Sequence, residues 1–368
     1  MILIMLLATP QITPDLQARL DKLDKLRRDL GHEVSRTTPW LGTLRRQVRA
    51  SSIEGSTSIE GFSVSQQEAV ALVSGEQPAD SENENRLAIA CYARAMDHVG
   101  VMASDPAFRW LDRVILDLHF DACYFQKDES PGLWRTGPVG ITGSDGHLVY
   151  QGPEAGEVPA LMAEVIDWLE NGDLDAHVLV RAAMAHLHVV SVHPFRDGNG
   201  RVSRIVQSLV LAREELMAPE FGSIEEYLSM RTADYYTALN EAHGSTYQPD
   251  RDASGWVAFC LEAHLAQAQQ RLKQVKEAGA RWAHLEKLIG DRKWPERLLL
   301  ALEQSLFGGT DRTSYAREAG ISPATASADL RRLLDSGLVD QEGQGRTTRY
   351  RATERLRRGS RGDADEPR

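Results

Sequence analysis

Between Ala176 and Val210 the chain places two apolar helices around a short polar loop, and this unit limits the fold more than any other stretch. Residues 176–190 are nearly all apolar, so a helix there has to be buried on every side and jacketed by other elements. Val202, Ile205, Val206, Leu209 and Val210 recur at helical spacing, so a second helix begins at about Gly200. The loop between them opens at His193 and continues Pro-Phe-Arg-Asp-Gly-Asn-Gly. Gly198 and Gly200 remove side-chain bulk from the first free N–H groups of the second helix, which then face any phosphate placed there. Arg201 and Arg204 lie on neighbouring turns along the edge of the apolar stripe. A histidine beside such an anion cradle suits a general base, because imidazole titrates near neutrality.

Around this unit the pattern is mainly α. Residues 14–34 read as an exposed amphipathic helix with leucines at helical intervals, and residues 40–50 and 65–73 are also helical. Residues 75–84 are polar and turn-rich. Two helices are expected within 85–168, separated by a β-hairpin at 131–153 with Ser144-Asp145-Gly146 near its turn. Helices follow at 227–242 and 252–280. From Trp294 the order becomes helix (298–306), helix (313–319), turn, helix (323–336) and an arginine-bearing strand pair ending at Tyr350, the order of a winged helix-turn-helix. The expected division is therefore an N-terminal helical region (1–84), a core (85–280), a winged helix (290–356) and a charged, disordered tail (357–368).

A net charge of −11 argues against wrapping of nucleic acid by the whole surface but leaves a local basic patch open. Cys91, Cys123 and Cys260 are widely spaced in apolar contexts, so they define no metal or disulfide framework and suit a reducing compartment. Residues 1–7 are too short to span a bilayer and lack the features of a signal peptide. A cytoplasmic protein without membrane contact is expected. His186, His188 and His193 do not make a metal trio, because positions two apart on a helix do not face one site.

The string HPFRDGNGRVSR resembles the signature of the Fic family, HxFx(D/E)GNGRxxR, at every specified position. The resemblance extends to a target-docking flap, through Pro131-Gly132, Arg135, Val139, Ile141, Gly143 and Tyr150. It also takes in a YYxxL segment at Tyr235, Tyr236 and Leu239, and covers roughly residues 40–265. It implies a protein adenylyltransferase that moves AMP from ATP to a Ser, Thr or Tyr hydroxyl of a target protein, or of itself, with Mg²⁺. In that reading His193 is the base, Asp197 holds Mg²⁺, and Gly198, Asn199 and Gly200 cradle phosphate. Arg201 and Arg204 meet the outer phosphates, Phe195 fixes the loop, and Tyr235 and Tyr236 border the adenine. The kinases of this superfamily carry Lys where this chain has Gly200, so AMP transfer is favoured over phosphorylation.

Ser56-Thr57-Ser58-Ile59-Glu60-Gly61 resembles the same family's inhibitory motif, (S/T)xxxE(G/N). A short helix ending at Gly61 would carry Glu60 to an arginine, with Arg201 the first candidate, and Ser56 one turn earlier would bond to Glu60. The repeated SIEG at 52–55 fits less well, because Ala50 stands where Ser or Thr is required.

Other readings of the chain are a nucleotide-sensing DNA-binding regulator with little turnover, removal of AMP, or transfer of another phospho-group. Residues 312–361 carry eleven arginines against six acidic residues. Ser322, Thr325, Ser327 and Arg331 on the third helix, with Arg346, Arg349 and Arg351 on the wing, are placed to meet DNA through residues 312–351. Winged helices also dock proteins, and a homodimer stays open.

Overall fold

A computed structural model describes residues 6–35, 38–75, 83–142, 148–214, 219–343, 345 and 348–361. The 144–146 hairpin turn, Gly143, Arg346, most of the 75–84 segment, residues 1–5 and the last seven residues lie outside them.

The first unit comprises residues up to Ser35 together with Arg45–Arg271. Helix α1 (Pro14–Val34) is capped by the Thr13 hydroxyl, which accepts from the Leu16 N–H at 3.3 Å, with Pro14 at the first helical position. Its leucine face is not exposed as the pattern suggested: Leu16, Leu20 and Leu23 belong to the same core as the central helices. Helix α2 (Pro39–Ile59) is followed by α3 (Gln66–Val73), α4 (Glu84–Ser104) and α5 (Asp112–Cys123). Strands β1 (Gly140–Thr142) and β2 (Leu148–Gln151) pair antiparallel, with Ile141 opposite Tyr150. Then come α6 (Val158–Asn171), α7 (Val178–Val192), α8 (Asn199–Arg213), α9 (Pro219–Gly222), α10 (Glu225–Met230), α11 (Thr232–His243) and α12 (Ser254–Asp291).

Helices α7 and α8 form the centre. Every residue of α7 from Leu179 to Val192 is buried. In α8, Val202, Ile205, Val206 and Leu209 are fully buried, each contributing roughly 1.5–3 kcal/mol. The N-terminal region is not a domain apart from the core: α1 and most of α2 fall in the same unit, because their apolar faces close its core.

The second unit comprises the residues from Arg36 to Leu44 and from Leu272 onward. It contains α13 (Leu298–Leu306), α14 (Arg312–Glu318), α15 (Pro323–Asp335), and strands β3 (Val339–Glu342) and β4 (Arg349–Ala352), paired antiparallel. Ser322 caps α15 ahead of Pro323. The tail begins as helix α16 (Glu354–Arg361), so residues 357–361 are ordered, with Leu356 buried beneath them. No helix of the described residues is long and apolar enough to cross a membrane.

Candidate active site

Helix α7 ends because Pro194 cannot continue it, and a residue before proline is pushed out of the right-handed helical region. His193 takes the left-handed conformation of a helix-closing residue, at φ 51° and ψ 57°, sparsely populated for a non-glycine residue, with its N–H donating to the Val189 carbonyl at 3.1 Å. Arg135 fixes this turn: its Nε donates to the His193 carbonyl at 2.8 Å, its backbone N–H to the Pro194 carbonyl at 2.9 Å, and its Nη2 to the Pro153 carbonyl at 2.6 Å. Tyr150 of the hairpin donates its hydroxyl to the Ser191 carbonyl. The hairpin region is thus bolted to the His193 turn.

The His193 Nδ1 lies 3.1 Å from the Val190 carbonyl, which can only accept, so Nδ1 carries the proton and Nε2 keeps a lone pair. Burial pulls the imidazole pKa down to about 4, so it is neutral at physiological pH. A polyanion placed nearby would draw that value back toward the working range.

Phe195 is fully buried and stacks on His119 with ring centroids 3.6 Å apart. His119 in turn receives the Gly132 N–H at Nδ1 (2.8 Å) and faces the Asp197 carbonyl through Nε2 (2.9 Å). The Asn199 side chain closes the loop on itself. Its oxygen accepts from the Phe195 N–H and its nitrogen donates to the Phe195 carbonyl, both at 2.9 Å, clipping the loop shut. Gly198 sits at φ 77°, and a Cβ there would lie 2.4 Å from the Cys123 sulfur, so only glycine fits.

The two arginines part company. Arg201 passes between Phe62 and Phe125, with its Cζ 5.6 and 5.5 Å from their ring centres. Its Nη2 donates to Gln126 Oε1 at 2.6 Å and to Asp197 Oδ2 at 3.0 Å, while Gln126 Nε2 donates to the same carboxylate oxygen at 2.7 Å. Arg204 meets the N-terminal motif instead. Its Nε donates to the Ser56 hydroxyl at 2.7 Å, and its Nη2 to the Ser56 carbonyl at 3.0 Å and to Glu60 Oε1 at 2.8 Å. Burial alone would lower the Arg204 pKa, but the Glu60 charge and hydrogen bond together with the nearby Tyr235 and Tyr92 hydroxyls more than offset it, and the guanidinium stays protonated.

The partner of Glu60 is therefore Arg204 and not Arg201, and Ser56 bonds to that arginine rather than to Glu60. The reason is reach. Helix α2 runs unbroken to Ile59, and its end is closed by bonds from the Gly61 N–H to the Ser58 carbonyl and from the Phe62 N–H to the Thr57 carbonyl, both 3.0 Å, with Gly61 at φ 88°. Ser56 and Glu60, one turn apart, then straddle a single guanidinium.

A Cβ on Gly200 would fall 2.5 Å from Glu60 Oε1 and 3.1 Å from Arg204 Nη1. A carboxylate thus occupies the face that Gly200 leaves bare. Among the described residues, Arg201 Nε and Nη1 and Arg204 Nη1 are buried without a hydrogen-bond partner. Buried guanidinium donors without acceptors fit a site shaped for an oxyanion. The Asp197 side chain is 44% exposed, and no group of three His, Cys, Asp or Glu able to hold a metal exists among the described residues. A single carboxylate fits Mg²⁺ that takes its remaining ligands from phosphate and water.

Tyr235 is a buried core aromatic whose hydroxyl lies 3.1 Å from His186 Nε2, whereas Tyr236 is 42% exposed. Only Tyr236 offers a face to a ligand. His119, Gln126, Phe62 and Phe125 were not singled out from the sequence. Phe62 carried a signal, since an apolar residue after a helix-closing glycine packs back on the helix end.

Residues 110–211 match the Fic/DOC family. The chain is 26% identical over 219 residues to protein adenylyltransferase Fic of Aedes aegypti, an alignment covering 56% of this chain and 40% of that protein. It is 29% identical over 168 residues to protein adenylyltransferase fic-1 of Caenorhabditis elegans, covering 42% and 30%. The chain thus spans well under half the length of these relatives. The fold resembles a Fic family protein from Desulfovibrio desulfuricans G20 at TM-score 0.55 and 23% identity, covering 94% of this chain and 98% of that one. It also resembles Fic-1 (residues 134–508) from C. elegans at TM-score 0.57 and 22% identity, covering 72% and 74%.

Proposed function

We propose, from the premise that residues 110–211 form a Fic/DOC-type domain, that this protein transfers AMP from ATP to a protein hydroxyl. The observation that carries the reading is the neutral His193, with Nε2 free to accept a proton, beside a cradle of buried arginine donors that lack acceptors. The target hydroxyl attacks the α-phosphorus, the bond from that phosphorus to the bridging oxygen breaks, and pyrophosphate departs. The hydroxyl proton passes to His193 Nε2. Arg201 and Arg204 stabilise charge on the outer phosphates, and Asp197 would hold Mg²⁺, which would supply neutralisation of the leaving pyrophosphate. Tyr236 borders the base.

The target segment adds as a strand to β1. Within the described residues β1 pairs only with β2, and its exposed Ile141 faces outward. Glu60 acts as the inhibitor: held on Arg204 against Gly200, its carboxylate excludes the outermost phosphate from a productive pose. The element order of the second unit, with Ser322 exposed at the cap of α15 and Ser327 and Arg331 exposed on it, supports a winged helix reading DNA.

Label transfer tests the activity. Protein incubated with α-labelled ATP should become labelled, γ-labelled ATP should give nothing, and His193→Ala should lose the label. Labelling from the γ position would replace AMP transfer with phosphorylation.

A further inference from the structure

A cavity of about 180 Å³ lies behind the helix that carries Ser56 and Glu60. Arg49 and Ile53 of α2, Tyr92 and Met96 of α4, and Glu220 and Glu225 line it. It is separate from the proposed nucleotide cradle and meets it at Tyr92.

Its polar groups are unequally matched. Arg49 is already held by Asp97 at 2.6 Å and by the Ala93 carbonyl at 3.2 Å, and among the described residues Glu220 has a long contact, 3.5 Å, to Arg45. Glu225 is 4% exposed; its Oε1 accepts from the Ser208 hydroxyl at 3.2 Å, while its Oε2 is buried and has no partner among the described residues. Burial pushes the Glu225 carboxyl pKa up in spite of the nearby Arg204 and Arg271 charges, and its inner oxygen lacks a donor, so an ammonium group that hydrogen-bonds that oxygen and favours the ionised form is the ligand chemistry that would satisfy it. The walls contributed by Ile53, Met96 and Tyr92 suit a short hydrocarbon body.

We propose that this cavity binds a small organic ammonium ion and that its occupancy keeps α2 seated. The second half rests on the inhibitory reading of Glu60; the first does not. The cavity exists only while α2 lies against α4 and α10, so a ligand that needs all three walls favours the seated state by linkage. Tyr92 joins the two sites, because its hydroxyl side also faces Ser56 and Arg204.

The test titrates the full chain with n-butylammonium chloride, and with n-butanol as the uncharged isostere, by isothermal titration calorimetry at constant ionic strength. Hydrogen exchange is followed over residues 49–60. The expected result is saturable binding of the ammonium about tenfold or more tighter than the alcohol, with slowed exchange in that segment. Glu225→Gln and the cavity-filling Met96→Trp should each weaken binding about tenfold or more. No saturation at millimolar ligand, equal affinity for both probes, or unchanged affinity in both variants would overturn the site. Binding with unaltered exchange would overturn its link to α2. None of these readouts depends on AMP transfer.

Discussion

Arg201 and Arg204 sit one turn apart on α8, both buried, and the surroundings of the two could hardly differ more. Arg201 is held by its own neighbourhood: the loop carboxylate Asp197, Gln126 after α5, and the rings of Phe62 and Phe125. Arg204 is held by Ser56 and Glu60, about 150 residues away in sequence, on the end of a helix that lies outside the signature. The same guanidinium chemistry thus serves a local tie within the loop region on one side and a long-range tie to another helix on the other. On the inhibitory reading proposed for Glu60, where the acceptors come from, rather than the arginine itself, sets which of the two arginines is open to regulation.

The comparison can be broken most severely from the fixed side. In a chain freed of Glu60, Arg201→Ala should lower AMP transfer by roughly 10²–10³-fold, the usual effect of removing one preorganised donor. Transfer at the level of the parent would show that Arg201 only holds the loop.

Acid should affect both sides, in order. Burial holds His119 and His193 down to about 4 and His186 to about 3, below the ordinary 6.5 of the unfolded chain. Their contribution is complete above pH 6.5, falls as the pH drops through about 4, and is gone below about 3. Urea midpoints should therefore decline between pH 6.5 and 4; a flat profile there would mean that these imidazoles are open to solvent.

Two glycines give a smaller contrast. Gly198→Ala meets Cys123 as well as an unfavourable φ, whereas a Cβ on Gly61, also at positive φ, touches nothing within 4 Å. Backbone strain alone costs each about 1–3 kcal/mol, so thermal melting should fall more for Gly198→Ala. Equal melting temperatures would show that the Cys123 contact relaxes without cost. Weakest of all, Ser56→Ala removes one of the three bonds on Arg204 and should raise AMP transfer only by about threefold to tenfold, since one such bond is worth about 1 kcal/mol. A release as large as that from removing Glu60 would shift the role of the plug to Ser56.

The signature loop was legible in the sequence because almost every letter there has one physical job: an apolar helix, a proline stop, two glycines and a second apolar stripe. The hairpin and the helix order of the second unit were legible for similar reasons. The extent of α2 was not. Its SSIEGSTSIEG composition favours turns and caps, yet Ile53, Ser56 and Ile59 are buried, and Gly55 packs where a Cβ would come within 3.0 Å of the Glu225 carbonyl. Tertiary packing overrides local preference there. The choice of Arg204 over Arg201 was equally hidden, because spacing along α8 cannot say which turn a distant helix end will reach. Gln126 and His119 carry no periodic signal and acquire a role only when the loop after α5 folds against Asp197. Tyr235 and Tyr236 are adjacent letters with opposite fates, one in the core and one at the surface.

The claim on which the rest depends is that the Glu60 carboxylate stands where the outer phosphate of the nucleotide has to go. The direct measurement is the rate of label incorporation from α-labelled ATP by the wild-type chain and by Glu60→Gly, side by side with Mg²⁺. The account predicts a rise of at least about tenfold in the variant, from loss of one buried charge-assisted contact. Equal rates in the two chains would contradict it.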